Sequence, residues 1–282
     1  MATPPAASTA TASGLAPDYD RFCGGVKALC KIDLFQYRPA QMERRMRSFA
    51  HRSGHDDLDA YLAVLRRDVV ARAAFLDQMT INVSELFRNP ERFVELEKQY
   101  LPELRASATG RGMRVWSAGC SYGAEPYTLA ILLKEAAPRA AHELVATDID
   151  QTILARAAEG IFTTQDLANV SVERRTRWFT ELPAGTWRAV PELRSMVRFS
   201  RLDLLKDPFP AGRDLILCRN VVIYFNDDAK ERIYERFFDV LCPGGVLFVG
   251  STERVNDAGK LGWERPGTFF YRRPLGAAPA RA

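Results

Sequence analysis

The amino-acid sequence predicts an α/β protein: a mostly parallel sheet with helices on both faces, preceded by a small all-helical domain and carrying a small inserted β-subdomain. Three observations predict it. Residues 19–78 show helical spacing with no strand pattern between. From Met113 onward, short apolar strand-like runs alternate with helical segments, the pattern of a parallel sheet covered on both faces. Between about Phe162 and Met196 that alternation gives way to aromatics scattered among Pro183, Gly185 and Pro191.

The elements follow in order. Met1 to Pro17 is rich in Ala, Pro, Ser and Thr, has no charged side chain and lacks the basic start of a signal peptide, so it is expected to be a disordered tail. The helical domain is placed at 18–80. Pro39 can open a helix, along which Met42, Met46 and Phe49 form an apolar stripe that Ser53-Gly54-His55 ends. Asp56 or Asp57 can cap the next helix, which buries Leu58, Tyr61, Leu62 and Leu65. A further helix is expected to run through Val69, Ala73 and Leu76. Residues 81–110 read as a linker and a long helix, with Ser84 as its N-cap and Phe87, Phe93, Leu96 and Tyr100 as its apolar face. The sheet domain is placed at 111–275, with the insert at about 163–196 and a short tail at 276–282. Its expected strands are Met113–Ser117, Leu144–Thr147, Val197–Phe199, Leu215–Cys218, Gly245–Val249 and Thr268–Tyr271, and one of the last two is expected to be antiparallel, because the link between them is too irregular for a crossover helix.

Composition removes several classes of function. The 39 basic and 35 acidic residues leave a formal charge of +4, which does not announce a nucleic-acid binder. No apolar run reaches the ~20 residues of a membrane span. The five cysteines form no C-x-x-C pair and read as reduced, mostly buried thiols of a cytoplasmic protein. His51 and His55 stand four apart, but Gly54 argues for a helix end there rather than a metal site.

Chemistry concentrates in the sheet domain. Gly119 and Gly123 lie in a loop between a strand and a helix, where glycines let the backbone approach a ligand. G-x-x-x-G is not the full dinucleotide fingerprint, and a plain tight turn explains it as well. Asp148 ends the second strand, where a carboxylate can accept both hydroxyls of a ribose. A helix N-cap is the ordinary alternative, and Asp150 can fill that role. Glu125, just past the glycines, would repel a diphosphate but pair with an ammonium. Glycine loop, nearby acid and ribose acid together favour S-adenosylmethionine, a phosphate-free cation, over a nicotinamide cofactor.

Three stretches then coincide: Met79-Thr-Ile-Asn-Val-Ser-Glu-Leu-Phe-Arg88, Trp116-Ser-Ala-Gly-Cys-Ser-Tyr-Gly-Ala-Glu-Pro126 and Cys218-Arg-Asn-Val-Val-Ile-Tyr-Phe225. Together they resemble the chemotaxis receptor methyltransferases, the CheR family, over about Tyr19 to Arg273. The resemblance implies a Rossmann-like class I methyltransferase sheet that uses S-adenosyl-L-methionine, releases S-adenosyl-L-homocysteine and esterifies glutamate side chains on the cytoplasmic domains of chemotaxis receptors. It implies a cofactor shell of Asn82, Ser84, Arg88, Gly119, Glu125, Asp148, Asp203, Leu204, Asn220 and Val221, with Arg88 and Tyr224 beside the transferred methyl. Asp203 stands where many relatives have asparagine, and as an acceptor it suits an adenine amino group. The insert looks short between Phe179 and Phe199, so the family's grip on a receptor C-terminal pentapeptide does not carry over automatically. Without the resemblance, Arg88 reads equally as a helix-surface arginine, and Tyr224 reads better as an ordinary core tyrosine.

On a helical wheel, Arg44, Arg47 and His51 lie opposite Met42, Met46 and Phe49, with Arg45 and Arg52 on one flank. Alone this is a solvated face. With the resemblance, Arg44, Arg45, Arg47 and Arg52 are expected to dock on anionic, glutamate-bearing receptor helices. No direct membrane insertion or nucleic-acid partner is expected, and a monomer is. The alternatives are a methyltransferase of RNA or a small metabolite, a non-catalytic protein that senses the cofactor, and a nicotinamide oxidoreductase.

Overall fold

The computed structural model describes residues 16–79, 84–108 and 110–276. The chain divides into two compact units.

The first unit contains four helices: α1 (Pro17–Cys30), α2 (Pro39–Arg52), α3 (Leu58–Arg67) and α4 (Val69–Met79). Proline at the first turn opens α1 and α2, where its missing N–H costs nothing. Asp57 caps α3 by accepting the Ala60 N–H at 2.7 Å. Met42, Met46 and Phe49 are buried, as are Leu58, Tyr61, Leu62 and Leu65. The helix expected through Val69, Ala73 and Leu76 is present as α4. Val69 is 67% exposed, while Phe75 is fully buried and meets Phe22, Phe49 and Tyr61 edge-on at 6.2, 6.4 and 6.1 Å. Apolar residues line α4 on nearly every side, so spacing does not choose a face; the bulk of the phenyl ring does. Tyr224–Ala229 also belong to this unit. Tyr37 and Phe225 form an antiparallel bridge, and the Asn226 side chain donates to the Phe35 carbonyl at 3.0 Å.

The second unit begins with α5 (Pro90–Glu95), which runs through a π turn at Leu96–Tyr100 into α6 (Leu101–Ser107). Ser84 is not its N-cap. Asn89, with φ of 61°, precedes Pro90, and the proline sets the first turn. The chain then alternates: β1 (Arg114–Ala118), α7 (Ala124–Ala136), β2 (Glu143–Asp148) and α8 (Gln151–Glu159). The insert follows as β3 (Ile161–Thr163), α9 (Val172–Trp178), β4 (Phe179–Leu182), β5 (Thr186–Ala189) and α10 (Pro191–Arg194). Its strands make a separate antiparallel sheet in the order β3-β5-β4. The main sheet resumes with β6 (Val197–Arg201), β7 (Arg213–Cys218), α11 (Asp227–Val240), β8 (Leu241–Val249) and β9 (Phe270–Arg272).

The six-stranded main sheet runs β6-β2-β1-β7-β8-β9. Its first five strands are parallel and β9 is antiparallel to β8, as the irregular final link predicts. From β1 the order extends through β2 and β6 to one side and through β7 and β8 to the other. The reversal between β1 and β7 opens the crevice where α/β sheets bind ligands, at the carboxyl ends of the strands. Every residue of β7 is buried, the expected state of a central parallel strand. No described helix is long and apolar enough to cross a membrane.

Candidate active site

The loop after β1 is shaped by contacts that only glycine permits. Gly119 has φ of +78°, and a Cβ there would lie 2.4 Å from Val221 Cγ2. The Gly119 and Cys120 N–H groups both donate to the Thr147 carbonyl, at 2.8 and 2.9 Å. That bifurcated tie carries the loop across to the end of β2, where Asp148 stands. Asp148 Oδ2 accepts the Ser121 N–H at 2.8 Å and Oδ1 accepts the Asp150 N–H at 3.1 Å. Each oxygen keeps a lone pair, the number a ribose diol needs. Asp150 takes the capping role instead, accepting from Thr152 and Ile153 at the start of α8. Burial raises the Asp148 carboxyl above its ordinary range, and the backbone N–H groups of Ser121, Asp150 and Ile149 partly oppose it.

The Asp148 carbonyl accepts the Leu202 N–H at 2.9 Å, which brings the next segment alongside. Asp203 and Leu204 are both buried. Asp203 Oδ1 caps its own turn through the Leu205 N–H at 2.9 Å, and Oδ2 lies 3.5 Å from Lys206 Nζ.

Glu125 stands in the first turn of α7, beside β1. Its Oε1 accepts from Ser117 Oγ at 2.7 Å, and its Oε2 is 3.7 Å from Arg219 Nη1. Burial raises its carboxyl; Arg219, the Ser117 hydroxyl and Arg88 oppose that rise, and Glu253 adds to it. Arg88 sits between two residues in the left-handed region, Phe87 at φ 52° and Asn89 at φ 61°. Several partners hold this turn. Leu86 N–H donates to the Asp166 carbonyl at 3.0 Å, Phe87 N–H donates to Thr128 Oγ1 at 3.0 Å, and Arg219 Nη2 donates to the Arg88 carbonyl at 2.8 Å.

Glu253, which the sequence reading passed over, organises the remaining wall. Its Oε2 accepts the N–H groups of Asn220 at 2.6 Å and Gly250 at 2.8 Å, and its Oε1 accepts those of Val221 and Val222 at 2.9 Å each. Asn220 has φ of 60°, so this carboxylate stabilises a conformation that asparagine adopts only with support.

In the first unit, Arg38, Arg44, Arg45, Arg52 and Tyr224 line a cavity of about 460 Å³. The Arg45 guanidinium carbon lies 5.3 Å from the Phe49 ring and 6.0 Å from the Tyr224 ring, and that of Arg52 lies 5.0 Å from Phe49. The Arg38 N–H donates to the Tyr224 carbonyl at 3.1 Å. Arg47, expected alongside the others, instead pairs with both oxygens of Asp18 at 2.8 and 2.9 Å and with Glu43 at 2.7 Å. Wheel geometry placed it outward; the acids on α1 and α2 claim its charge.

The family profile described as CheR methyltransferase, SAM binding domain, matches residues 82–264, and that of the CheR methyltransferase all-alpha domain matches residues 17–80. The chain belongs to the CheR methyltransferase family. The chemotaxis protein methyltransferase of Listeria innocua serovar 6a is 38% identical over 257 residues, covering 91% of this chain and 97% of that protein. Its counterpart in Listeria monocytogenes serovar 1/2a matches to the same extent. Chemotaxis protein methyltransferase 1 of Pseudomonas aeruginosa is 37% identical over 194 residues, 66% of this chain and 71% of its own length.

This CheR-family chain is thus an S-adenosylmethionine-dependent methyltransferase, and its site chemistry suits that cofactor. The glycine loop leaves no room for a Cβ, Asp148 offers two unshared acceptor positions, and an acid occupies the helix start where a phosphate ligand would need bare N–H groups. Gly119 and Asp148 are linked through Thr147 and Ser121, Asp148 reaches the Asp203–Leu204 segment through Leu202, Asn220 and Val221 share Glu253, and Glu125 and Arg88 are joined through Arg219. Ser84 borders them, its backbone N–H meeting the Tyr122 hydroxyl. Asn82 lies outside the described residues. Tyr224 is described with the first unit, in the arginine-lined cavity. Arg219 and Arg38 were in plain view in the sequence as motif and helix-flanking residues. No local signal in the sequence marks Glu253, whose partners Asn220, Val221 and Val222 lie 31 to 33 residues away.

Proposed function

We propose that the protein transfers methyl groups from S-adenosylmethionine to glutamate side chains on the cytoplasmic domains of methyl-accepting chemotaxis receptors, acting in the cytoplasm as a monomer. When bound, the cofactor supplies the methyl on a sulfonium; a carboxylate oxygen accepts it, the C–S electron pair stays on sulfur, and a methyl ester and S-adenosylhomocysteine result. The observation that carries the reading is the cavity of four arginines around Tyr224, a surface suited to anionic side chains. The names of the Listeria and Pseudomonas relatives point the same way.

The residues supply what this chemistry requires. A glutamate is already ionised at neutral pH, with a pKa near ~4.3, so no strong general base is needed, and none of the site residues is a histidine. Asp148 holds the ribose and Glu125 the ammonium of the cofactor, with Asp203, Leu204, Asn220 and Val221 enclosing it. Arg88, on its braced turn, grips the incoming carboxylate by two N–H groups, which lysine reproduces poorly. Tyr224, in the arginine-lined cavity of the first unit, offers its hydroxyl to an anionic side chain. Opposite charges meet and fade in the transition state, so positioning in a site with little water favours the step.

Radiolabelled methyl transfer to purified receptor cytoplasmic domains tests the reading. The expected product carries label that mild alkali releases as methanol, the behaviour of an ester. Label that resists alkali, or that enters RNA rather than receptor, overturns it. So does cofactor binding without any transfer.

A further inference from the structure

Arg219 has a strange position for a cation. It follows the last residue of β7, is only 8% exposed, and lies between two phenyl rings, its guanidinium carbon 5.0 Å from Phe93 and 4.8 Å from Phe248. Its Nε finds no partner among the described residues. A buried cation with an unpaired N–H is unfavourable for folding alone, so what its other nitrogens reach is informative. Nη2 donates to the Arg88 carbonyl at 2.8 Å and to Asn89 Oδ1 at 2.9 Å. Nη1 faces Glu125 Oε2 at 3.7 Å, near enough for attraction and too long for a hydrogen bond that would consume that oxygen.

We infer that Arg219 is a positioning residue for methyl transfer: from its seat between Phe93 and Phe248 one planar guanidinium sets the Arg88 turn and the Glu125 carboxylate together. The cofactor acid and the substrate arginine are thereby referenced to a single rigid group. The fork geometry matters because Nη2 meets both acceptors of the Arg88 turn while Nη1 faces Glu125, two directions that one ammonium nitrogen does not serve together; the charge matters on the Glu125 side. Glu125 is faced by Arg219, Arg88 and Glu253 and by the Ser117 hydroxyl. Burial holds its carboxyl above the ordinary range, and the charge of Arg219 is the largest influence against that rise. Removing the cation raises Glu125 further, so the charged form then requires a higher pH.

The two roles separate in two variants of the full-length chain. This inference rests on Glu125 holding the cofactor's ammonium. Calorimetric titration with S-adenosylhomocysteine from pH 6 to 9 is compared for wild type, Arg219→Lys, Arg219→Met and Glu125→Gln, alongside turnover at saturating cofactor. In Arg219→Met the acid limb of binding moves upward by roughly one unit, a tenfold loss at the lowest pH that recovers at the highest. Arg219→Lys restores the limb, because the charge returns, but leaves turnover depressed about tenfold, because the Arg88 turn loses its fork. A purely structural arginine gives a loss independent of pH in Arg219→Met, and that result overturns the inference. Should Arg219→Met fail to fold, Arg219→Lys decides: wild-type turnover there overturns it. Wild-type affinity in Glu125→Gln defeats the Glu125 assignment instead, whereas weakened Glu125→Gln beside two unaltered Arg219 variants defeats Arg219 alone.

Discussion

The carboxylate of Glu253 holds the backbone of Asn220 at 2.6 Å across 33 residues of sequence. The same side chain accepts three further N–H groups, which fills the roughly four lone-pair positions a carboxylate has. Glu253→Gln replaces one oxygen by an amide donor that faces N–H donors. Two N–H groups are then orphaned, at about 1–3 kcal/mol each. The expected loss of stability is about 2–6 kcal/mol, and S-adenosylhomocysteine affinity falls with it because Asn220 and Val221 are released. Urea titration and calorimetry check this. A variant with the wild-type midpoint and affinity would show that the loop stands without the carboxylate.

How much of this was legible follows from the range of each interaction. The strands and their alternation were readable because a buried parallel strand is apolar throughout, as in Leu215-Ile-Leu-Cys218. The antiparallel last strand followed from the irregular link before it, which shows no crossover helix. Asp150 was readable as a helix cap because its partners lie within three residues, whereas Asp148 also holds the Ser121 N–H, 27 residues away. Glu253 and Arg219 were not readable: their partners are 31 to 33 and about 130 residues away, and no local pattern encodes that. The surroundings of Phe75 and Arg47 were hidden for a different reason. A helical wheel assumes one buried face, whereas α4 offers several apolar sides and α1 supplies an acid that captures Arg47.

Gly119→Ala tests the glycine loop. Its Cβ would meet Val221 Cγ2 at 2.4 Å, and φ of +78° is unfavourable for alanine whatever the space, by about 1–2 kcal/mol. The expected result is at least a tenfold loss of cofactor affinity. The double variant Gly119→Ala/Val221→Ala removes the clash but not the backbone strain, so it should regain part of the stability and not all. Full recovery in thermal melts would mean the clash was the entire cost.

His142 makes stability depend on pH. Its Nδ1 accepts the Met113 N–H at 3.1 Å, so the ring is bound neutral. Burial pulls its pKa below the ordinary value, with a contact to the Ala137 carbonyl opposing. The sign follows: below about 6.5 the unfolded chain takes up a proton that the folded chain resists, so stability falls as pH drops through that value and levels off below the lower folded pKa. His142→Gln should flatten this part of the urea-midpoint profile between pH 8 and 5. An unchanged slope would assign the effect to other groups.

Docking on receptors is tested by contrasting arginines of one helix. Arg45 and Arg52 line the cavity with Tyr224, whereas Arg47 is committed to Asp18 and Glu43. Arg45→Glu/Arg52→Glu reverses charge where glutamate-bearing helices are proposed to bind. It should raise the KM for receptor at least tenfold at low salt, and the gap to wild type should narrow as salt screens the attraction. Its affinity for S-adenosylhomocysteine should not change. Arg47→Ala should behave oppositely. It loses part-exposed ion pairs, each worth about 0.2–1 kcal/mol, so the melting temperature drops slightly while the receptor KM stays at the wild-type value. If Arg47→Ala raised KM as much as the double reversal, general loss of positive charge would explain both, and the cavity would have no special part in docking.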